Sequence, residues 1–173
     1  MDIDETGWAP WNAEFKRHHY LPDAGPMGYA TAFTGFVEDE PICFVGVSGM
    51  VVGQGVREAR FCRFVTKPEW QGAGLGMRFL EYLTERELRG EGFIGKPTTS
   101  IIHSAHPALA VTLRRSPKWR QISSQLYGKP KEKTTGMGGH LRATMGFRYY
   151  GQAGIDAIER AKANAADSNV ASA

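Results

Sequence analysis

Apolar and polar positions alternate through the first half of the chain in a way that predicts strands. Residues 29–37 and 42–52 are rich in aromatic and β-branched residues, and the acidic, proline-bearing stretch between them predicts a β-hairpin turn. Residues 56–66 predict a further strand after two glycines. Regular alternation places Phe61, Arg63 and Val65 on one face of that strand, and Cys62 and Phe64 on the other.

The period changes to that of a helix from Gly74 onward. Leu75, Phe79 and Leu83 recur at i, i+4 and i+8 among charged residues, which predicts an amphipathic helix that ends near Gly90. We also expect a strand at 98–103, a helix at 107–115, a closing strand at 141–150 and a helix at 155–166. Residues 11–19 predict a short helix, 118–127 are ambiguous, 128–139 predict a loop, and 167–173 a frayed tail.

The length and composition fit a single domain that carries both helices and strands. The chain has 173 residues, of which 42% are hydrophobic, enough for one two-layer core. It lacks an apolar run near the roughly 20 residues of a membrane span, and its acidic N-terminus is unlike a secretory signal. We therefore expect a cytoplasmic protein without a membrane partner. Cys43 and Cys62 lie in apolar stretches without metal-ligand spacing, which predicts reduced, buried thiols.

Charge is distributed unevenly along the chain. Residues 1–58 carry three Lys/Arg and nine Asp/Glu, whereas residues 114–148 carry nine Lys/Arg and one Glu. Such a basic segment is either a solvated surface or a binding surface for phosphates. The sequence alone leaves these two interpretations open.

A glycine-rich turn joins the strand at 56–66 to the helix that begins near 75. The stretch Gln71-Gly72-Ala73-Gly74-Leu75-Gly76 would expose successive backbone N–H groups at a helix N-terminus, where anions bind favourably. It is not a Walker A loop, because Met77 stands where that loop needs Lys. It is not a dinucleotide fingerprint either, because the third glycine comes one position early.

The same stretch resembles the acyl-CoA-binding motif of the GNAT superfamily. Gln71, Gly74 and Gly76 match its fixed positions, and Val65 and Pro68 match the strand that precedes it. The resemblance implies one α/β domain of the α+β kind, with a mixed, mostly antiparallel sheet flanked by helices and a core over about 29–150. It also implies an acyltransferase that uses acetyl-CoA or another acyl-CoA. The cofactor-binding residues it implies are Phe64, Val65, Thr66, Gln71, Gly72, Ala73, Gly74, Leu75 and Gly76.

Acyl transfer to an amine needs a proton acceptor for the amine and a proton donor for the departing thiolate. Many GNAT members place a tyrosine on the helix after the fifth strand for the second role, but residues 107–115 contain no tyrosine. We expect at most one of His18 and His19 to face the site, because neighbouring side chains diverge on a helix. His103 and His106 lack a matched third ligand, so we expect no metal. The candidate catalytic residues are His18, His19, Tyr20, Tyr29, Ser100, His103, His106 and Tyr127.

A narrower resemblance concerns the Mom-type DNA modification proteins of bacteriophages. The histidine-tyrosine end of the first helix, the strand bearing Arg60 and Arg63, and the segment 116–120 carry it. It implies that the acceptor is an exocyclic amine of a nucleobase in DNA. The nucleic-acid-binding residues would be Arg114, Arg115, Lys118, Trp119, Arg120, Lys129, Lys131 and Lys133. The alternatives are an N-acetyltransferase for a small amine or peptide, and a non-catalytic module that binds CoA or nucleic acid.

Overall fold

A computed structural model describes residues 1–20, 25–53, 55–127 and 142–170. In this part of the chain seven strands form one sheet, in the order β1-β2-β3-β4-β5-β7-β6. The strands are β1 (Asp2–Glu5), β2 (Thr31–Val37), β3 (Glu40–Val52), β4 (Val56–Thr66), β5 (Ser100–Ser104), β6 (Trp119–Tyr127) and β7 (Arg142–Tyr149). Neighbouring strands run antiparallel except β4 and β5, which run parallel.

Helices cover parts of both faces of the sheet. The α-helices are α1 (Leu75–Arg89), α2 (Pro107–Arg115) and α3 (Gly151–Val170). A π-helical turn at Trp11–Phe15 and 3₁₀ turns at Lys16–His18 and Pro68–Trp70 are the other helical segments of the described residues. None of the described helices is long and apolar enough to cross a membrane.

In the part of the chain that the structure describes, two apolar clusters form the core, one on each face of the sheet. The larger one packs α1 and α2 against the sheet through residues such as Phe61, Phe79 and Leu113. The smaller one packs the N-terminal turn against β3 and β4, with Trp11 and Phe15 fully buried. Burial of each large apolar side chain contributes about 1.5–3 kcal/mol, so both faces help to hold the sheet. The smaller cluster fixes the N-terminal segment to the end of β4.

A β-bulge interrupts β4 at Arg63. Its backbone has a φ of 57°, and the β3–β4 register shifts between Phe44 and Gly46. Side chains alternate between the two faces of a sheet, so one extra residue moves every later side chain of the strand to the opposite face. Phe61 and Phe64 therefore share the α1 face, while Val65 joins the smaller cluster. The alternation predicted from the sequence is wrong beyond Cys62.

The strands β4 and β5 separate beyond a short paired stretch. Their parallel register runs from Ala59 opposite Ser100 to Phe61 opposite Ile102. Beyond these residues β4 continues to Thr66 and β5 to Ser104 without further pairing to each other. The facing edges therefore present backbone groups that can bind an extended ligand.

Most predicted elements are present with small shifts. The hairpin, β4, α1 and α2 are confirmed, as is the fold class. The ambiguous segment 118–127 is strand β6 at the sheet edge, and the predicted closing strand is β7, which lies between β5 and β6. The strand β1 was missed, and α3 extends beyond the predicted 155–166. The predicted loop at 128–139 lies outside the described residues.

Candidate active site

A cavity of about 540 Å³ lies where β4 and β5 separate. Its wall combines the end of β4, the glycine turn, the N-terminal segment, the end of β5 and one face of α2. The lining residues are His18, His19, Tyr20, Phe64, Val65, Thr66, Trp70, Gln71, Gly72, Gly74, Gly76, Met77, Ser104, His106, Ala108, Leu109 and Thr112. Most of the predicted cofactor-binding residues thus lie in one cavity with four of the predicted catalytic residues.

The glycine turn presents its backbone to this cavity. Gly72 and Gly74 have φ values of 86° and 75°, and a Cβ at either position would meet nothing within 4 Å. Gly74 is the N-cap of α1 and, as a glycine, has no side chain that could cap the first turn of that helix. The N–H groups of this turn are therefore open to an anion, which the dipole of the 15-residue helix also favours.

Gly76 and Gln71 have different roles from the two open glycines. A Cβ at Gly76 would collide with Oγ1 of Thr66, so this glycine lets α1 approach β4 closely. The side-chain Nε2 of Gln71 donates to the carbonyl of Thr66 at 2.9 Å and fixes the turn to the strand end. Of the predicted set, Ala73 and Leu75 do not line the cavity, and Leu75 packs against the core.

The N-terminal segment supplies the wall opposite the glycine turn. The 3₁₀ turn ends at His18, and His19 has an extended backbone with a ψ of 138°. Both histidines therefore reach the cavity, and the prediction that at most one would do so is wrong because the segment is no longer helical there. The ring of His19 stacks on Tyr20 with centroids 4.4 Å apart, and its edge packs on Trp11 at 5.3 Å.

The start of α2 supplies a third wall. The ring Nδ1 of His106 accepts the backbone N–H of Leu109 at 3.4 Å, and the backbone N–H of His106 donates to Oγ of Ser104 at 3.0 Å. The neutral His106 ring consequently carries its proton on Nε2. Thr112, which sequence reasoning did not single out, also lines the cavity, and its hydroxyl donates to the carbonyl of Ala108. Ala108 and Thr112 are four residues apart and so lie on the same face of α2, and this spacing is the sequence signal that could have indicated Thr112.

Two predicted catalytic residues lie away from the cavity, and a third lies at a strand end. Tyr29 is 70% exposed and does not line the cavity. Ser100 is fully buried in β5 opposite Ala59, where its hydroxyl cannot reach a substrate. Tyr127 is the last residue of β6 and pairs with Arg142. Contrary to the sequence-based expectation, Tyr29 and Ser100 are therefore not placed to act on a substrate in this cavity.

His103 does not line the cavity but precedes Ser104, which does, and lies on the face of the sheet opposite α1. It is the first residue of β5 beyond the pairing with β4, and it faces away from α1 because its neighbour Ile102 packs on the α1 side. A Cβ at Gly146 would stand 2.9 Å from Nε2 of His103, so the glycine makes room for the ring. Burial lowers the pKa of His103, and the charge of Arg60 lowers it further. Its Nδ1 is buried and has no hydrogen-bond partner among the described residues.

The described part of the basic segment is largely paired with carboxylates. Lys118 contacts Glu81 at 3.1 Å, Arg120 contacts Glu159, and Arg148 contacts Glu58 at 3.0 Å. Arg114 donates to the side chain of Gln121, and Arg115 is exposed. Lys129, Lys131 and Lys133 lie outside the described residues.

Trp119 cannot stack on a base, contrary to the sequence-based expectation. It is 3% exposed and packs edge-on against Tyr149, with ring centroids 4.9 Å apart. It belongs to the larger core cluster, where β6 meets the helices.

The two cysteines are free thiols, one buried and one partly exposed. Burial raises the pKa of both Cys43 and Cys62 to about 11. Both therefore stay protonated near neutral pH and are poor nucleophiles. Within the described ranges, no group of three or more His, Cys, Asp or Glu side chains could hold a metal ion.

No family model matches the chain, and no curated protein matches it. Solved structures do. The ribosomal-protein-S18-alanine N-acetyltransferase from Escherichia coli is 18% identical with a TM-score of 0.58, over 86% of this chain and 92% of that one. An acetyltransferase of the GNAT family from Streptococcus pneumoniae is 14% identical with a TM-score of 0.61, over 85% and 96%. Arabidopsis thaliana Naa50, in complex with the bisubstrate analogue CoA-Ac-MVNAL, is 8% identical with a TM-score of 0.58, over 84% and 96%.

The sheet order, the separation of β4 from β5 and the glycine turn that starts α1 define an α+β fold shared with these acetyltransferases. The chain has the GNAT fold.

Proposed function

We propose that the chain is an acetyl-CoA-dependent N-acyltransferase whose acceptor is a small amine or a peptide. The observation that carries the proposal is the pair of open glycines, Gly72 and Gly74, at the uncapped N-terminus of α1. They face the same cavity as His18, Tyr20 and His106, so an anion-binding turn and ionisable side chains share one space. A turn that only packed a helix on a sheet would not need this open backbone.

The cofactor fits the residues present. The turn from Gly72 to Gly76 would hold its pyrophosphate through backbone N–H groups. The free edge of β4 at Phe64, Val65 and Thr66 would pair with its amide-bearing arm, because β5 does not occupy that edge. The bound cofactor supplies an activated acyl thioester.

The remaining chemistry falls to the side chains of the cavity and its rim. An amine must be neutral before it attacks, and a histidine can accept its proton near neutral pH. His18 and His19 line the cavity, and His103 precedes the cavity-lining Ser104 in β5. Tyr20 and His106 each present an O–H or N–H donor that can stabilise or protonate the departing thiolate. Tyr20 thereby supplies a phenol to the site, whereas α2 contains no tyrosine.

Two of the similar structures support an acceptor of this kind. One is a ribosomal-protein alanine N-acetyltransferase, and the other holds a bisubstrate analogue that links CoA to a short peptide. The stacked rings of His19 and Tyr20 give the N-terminal wall an aromatic surface on which an acceptor side chain can pack.

The test has two parts. Titration calorimetry with acetyl-CoA should show binding, and release of free CoA thiol should depend on an added amine. A panel of peptides with free N-termini, aliphatic amines and arylamines, read by mass spectrometry, would identify the acceptor. Binding without any amine-dependent release would support the non-catalytic alternative instead.

An exocyclic amine of a nucleobase in DNA is the second candidate acceptor. The basic segment favours it, with Arg114 and Arg115 at the exposed end of α2. Three of the basic residues in this segment are paired with carboxylates, and Trp119 is buried. The described residues therefore offer fewer positive charges for phosphates, and a weaker stacking surface for a base, than the sequence suggested. We rank it behind a small amine or peptide for that reason.

A further inference from the structure

Lys67 is a buried lysine that lies in the chain between Thr66 and Trp70, which both line the cavity. It comes directly after the last residue of β4 and precedes the 3₁₀ turn that leads into the glycine turn. Its side chain is 7% exposed, and its backbone N–H donates to the carbonyl of Ile42 at 2.9 Å. The backbone of Lys67 is therefore fixed to the sheet while its ammonium lies in the interior.

Two carboxylates from different segments reach this ammonium. Its Nζ lies 3.3 Å from Glu14 of the N-terminal turn and 3.6 Å from Glu40 at the start of β3. Glu40 also accepts the indole N–H of Trp70 at 3.3 Å. Glu14 is four residues before His18, the first of the three N-terminal residues that line the cavity. One ammonium thus connects the N-terminal segment to the segment that carries the glycine turn.

Stability alone does not explain a lysine here. Removing an ammonium from water is costly, and apolar residues of similar volume often replace buried ion pairs without loss of stability. Trp11 and Phe15 already fix the N-terminal turn through apolar burial, which is non-directional. An ion pair adds direction, because its attraction weakens as the partners separate and its hydrogen bonds need a defined geometry.

We propose that Lys67 is a positioning residue, which holds the wall of His18, His19 and Tyr20 at a defined distance from the glycine turn. The inference rests on the proposed function for its catalytic consequence, but its structural part does not. When the pair of Lys67 and Glu14 is lost, the N-terminal wall moves more freely while the glycine turn keeps its geometry. A misplacement of about 1 Å near reacting atoms can cost about 100-fold in rate.

The experiment compares three variants with one control. Lys67→Met removes both ion pairs of the ammonium, and Glu14→Gln removes the charge that binds the N-terminal segment. Glu40→Gln removes the charge that binds β3 and leaves an amide oxygen that can still accept the indole N–H of Trp70. Arg89→Met removes one partner of the exposed pair of Arg89 with Glu91 outside the cavity, and serves as the matched control. Thermal unfolding confirms that each variant is folded.

The first readout is hydrogen–deuterium exchange of the backbone, which needs no substrate. We expect faster exchange over residues 11–20 in Lys67→Met and Glu14→Gln, but not in Glu40→Gln or Arg89→Met, and unchanged exchange over 72–80. Unchanged exchange over 11–20 in Lys67→Met would overturn the proposal, whatever the activity.

The second readout separates this proposal from the proposed function. Calorimetry should give the same acetyl-CoA affinity for the parent and for Lys67→Met, while kcat/KM for an accepted amine falls by about 10- to 100-fold. Weaker acetyl-CoA binding in Lys67→Met would also overturn the proposal, because the glycine turn would then depend on the ion pair. A parent protein that does not bind acetyl-CoA contradicts the proposed function and leaves the exchange result to stand alone.

Discussion

The ring Nδ1 of His106 accepts the backbone N–H of Leu109, so a cavity-lining histidine is also the N-cap of α2. This contact assigns the proton of the neutral ring to Nε2. His106 can therefore donate a hydrogen bond into the cavity, whereas accepting a proton at Nδ1 would break the cap. The structure favours a donor role for His106 over the role of general base.

The two roles of His106 can be separated by substitution. Serine is a good N-cap without a ring, whereas alanine loses both functions, and loss of a cap costs about 0.5–2 kcal/mol. We expect His106→Ser to keep the thermal stability of the parent and His106→Ala to lose stability. If the Nε2 donor serves catalysis, both variants should lose at least about 100-fold in kcat. Full activity in His106→Ser would show that the ring only caps the helix.

The glycine turn can be tested with a matched glycine elsewhere. Gly74 and Gly95 both have positive φ, and a Cβ at either would meet nothing within 4 Å, but only Gly74 lines the cavity. Gly74→Val and Gly95→Val should thus lose similar stability from backbone strain, about 1–3 kcal/mol each. Only Gly74→Val should lose acetyl-CoA affinity in calorimetry. Equal affinity in the two variants would remove this turn from the cofactor site.

The glycine turn was the part of the site that the sequence predicted best. Its strand, its glycines and its helix are adjacent in the chain, so local residue types were enough to place it. The bulge at Arg63 could not be predicted, because one extra residue in a strand leaves the residue pattern plausible and changes only which face each side chain takes. The contacts of Lys118 with Glu81 and of Arg148 with Glu58 join residues 37 and 90 positions apart, and no local pattern reports such pairs.

Trp119 shows that the burial of a single side chain also could not be predicted from its neighbours in the sequence. It lies between Lys118 and Arg120, and its neighbours suggested an exposed stacking surface. In a strand, however, a residue and its neighbours face opposite sides, so the flanking charges say nothing about the burial of the tryptophan. The T-shaped contact with Tyr149 shows that Trp119 faces the core.

The environment of His103 predicts a pH dependence. Burial first, and then the charge of Arg60, lower its pKa below the ordinary 6.5, so the ring stays neutral at neutral pH. As the pH falls from about 6.5 to the lowered value, the unfolded chain binds this proton and the folded protein does not. Stability should therefore decrease with falling pH across that window, and His103→Gln should remove that part of the decrease. Denaturant unfolding at a series of pH values measures it.

The same shift has a kinetic consequence if His103 accepts the proton of the amine. The acid limb of kcat/KM should then lie below pH 6.5. Arg60→Met should move that limb upward, because one of the two causes of the lowered pKa is gone. If the pH of the acid limb does not change in Arg60→Met, the base is another residue, and His18 and His19 are the next candidates.

The DNA candidate predicts a salt dependence that a small-amine or peptide enzyme does not share. Each phosphate contact contributes about one unit to the slope of log affinity against log salt. If DNA lies along the end of α2, the double variant Arg114→Ala/Arg115→Ala should lower this slope by about two units. The control Arg160→Ala/Lys162→Ala, which removes two exposed charges from α3, should not lower it.

Our own expectation is the opposite outcome. Because Lys118, Arg120 and Arg148 are paired with carboxylates, we expect weak DNA association and the same slope in both variants. A lower slope in the first variant alone, at unchanged acetyl-CoA affinity, would instead make the nucleobase amine the better acceptor.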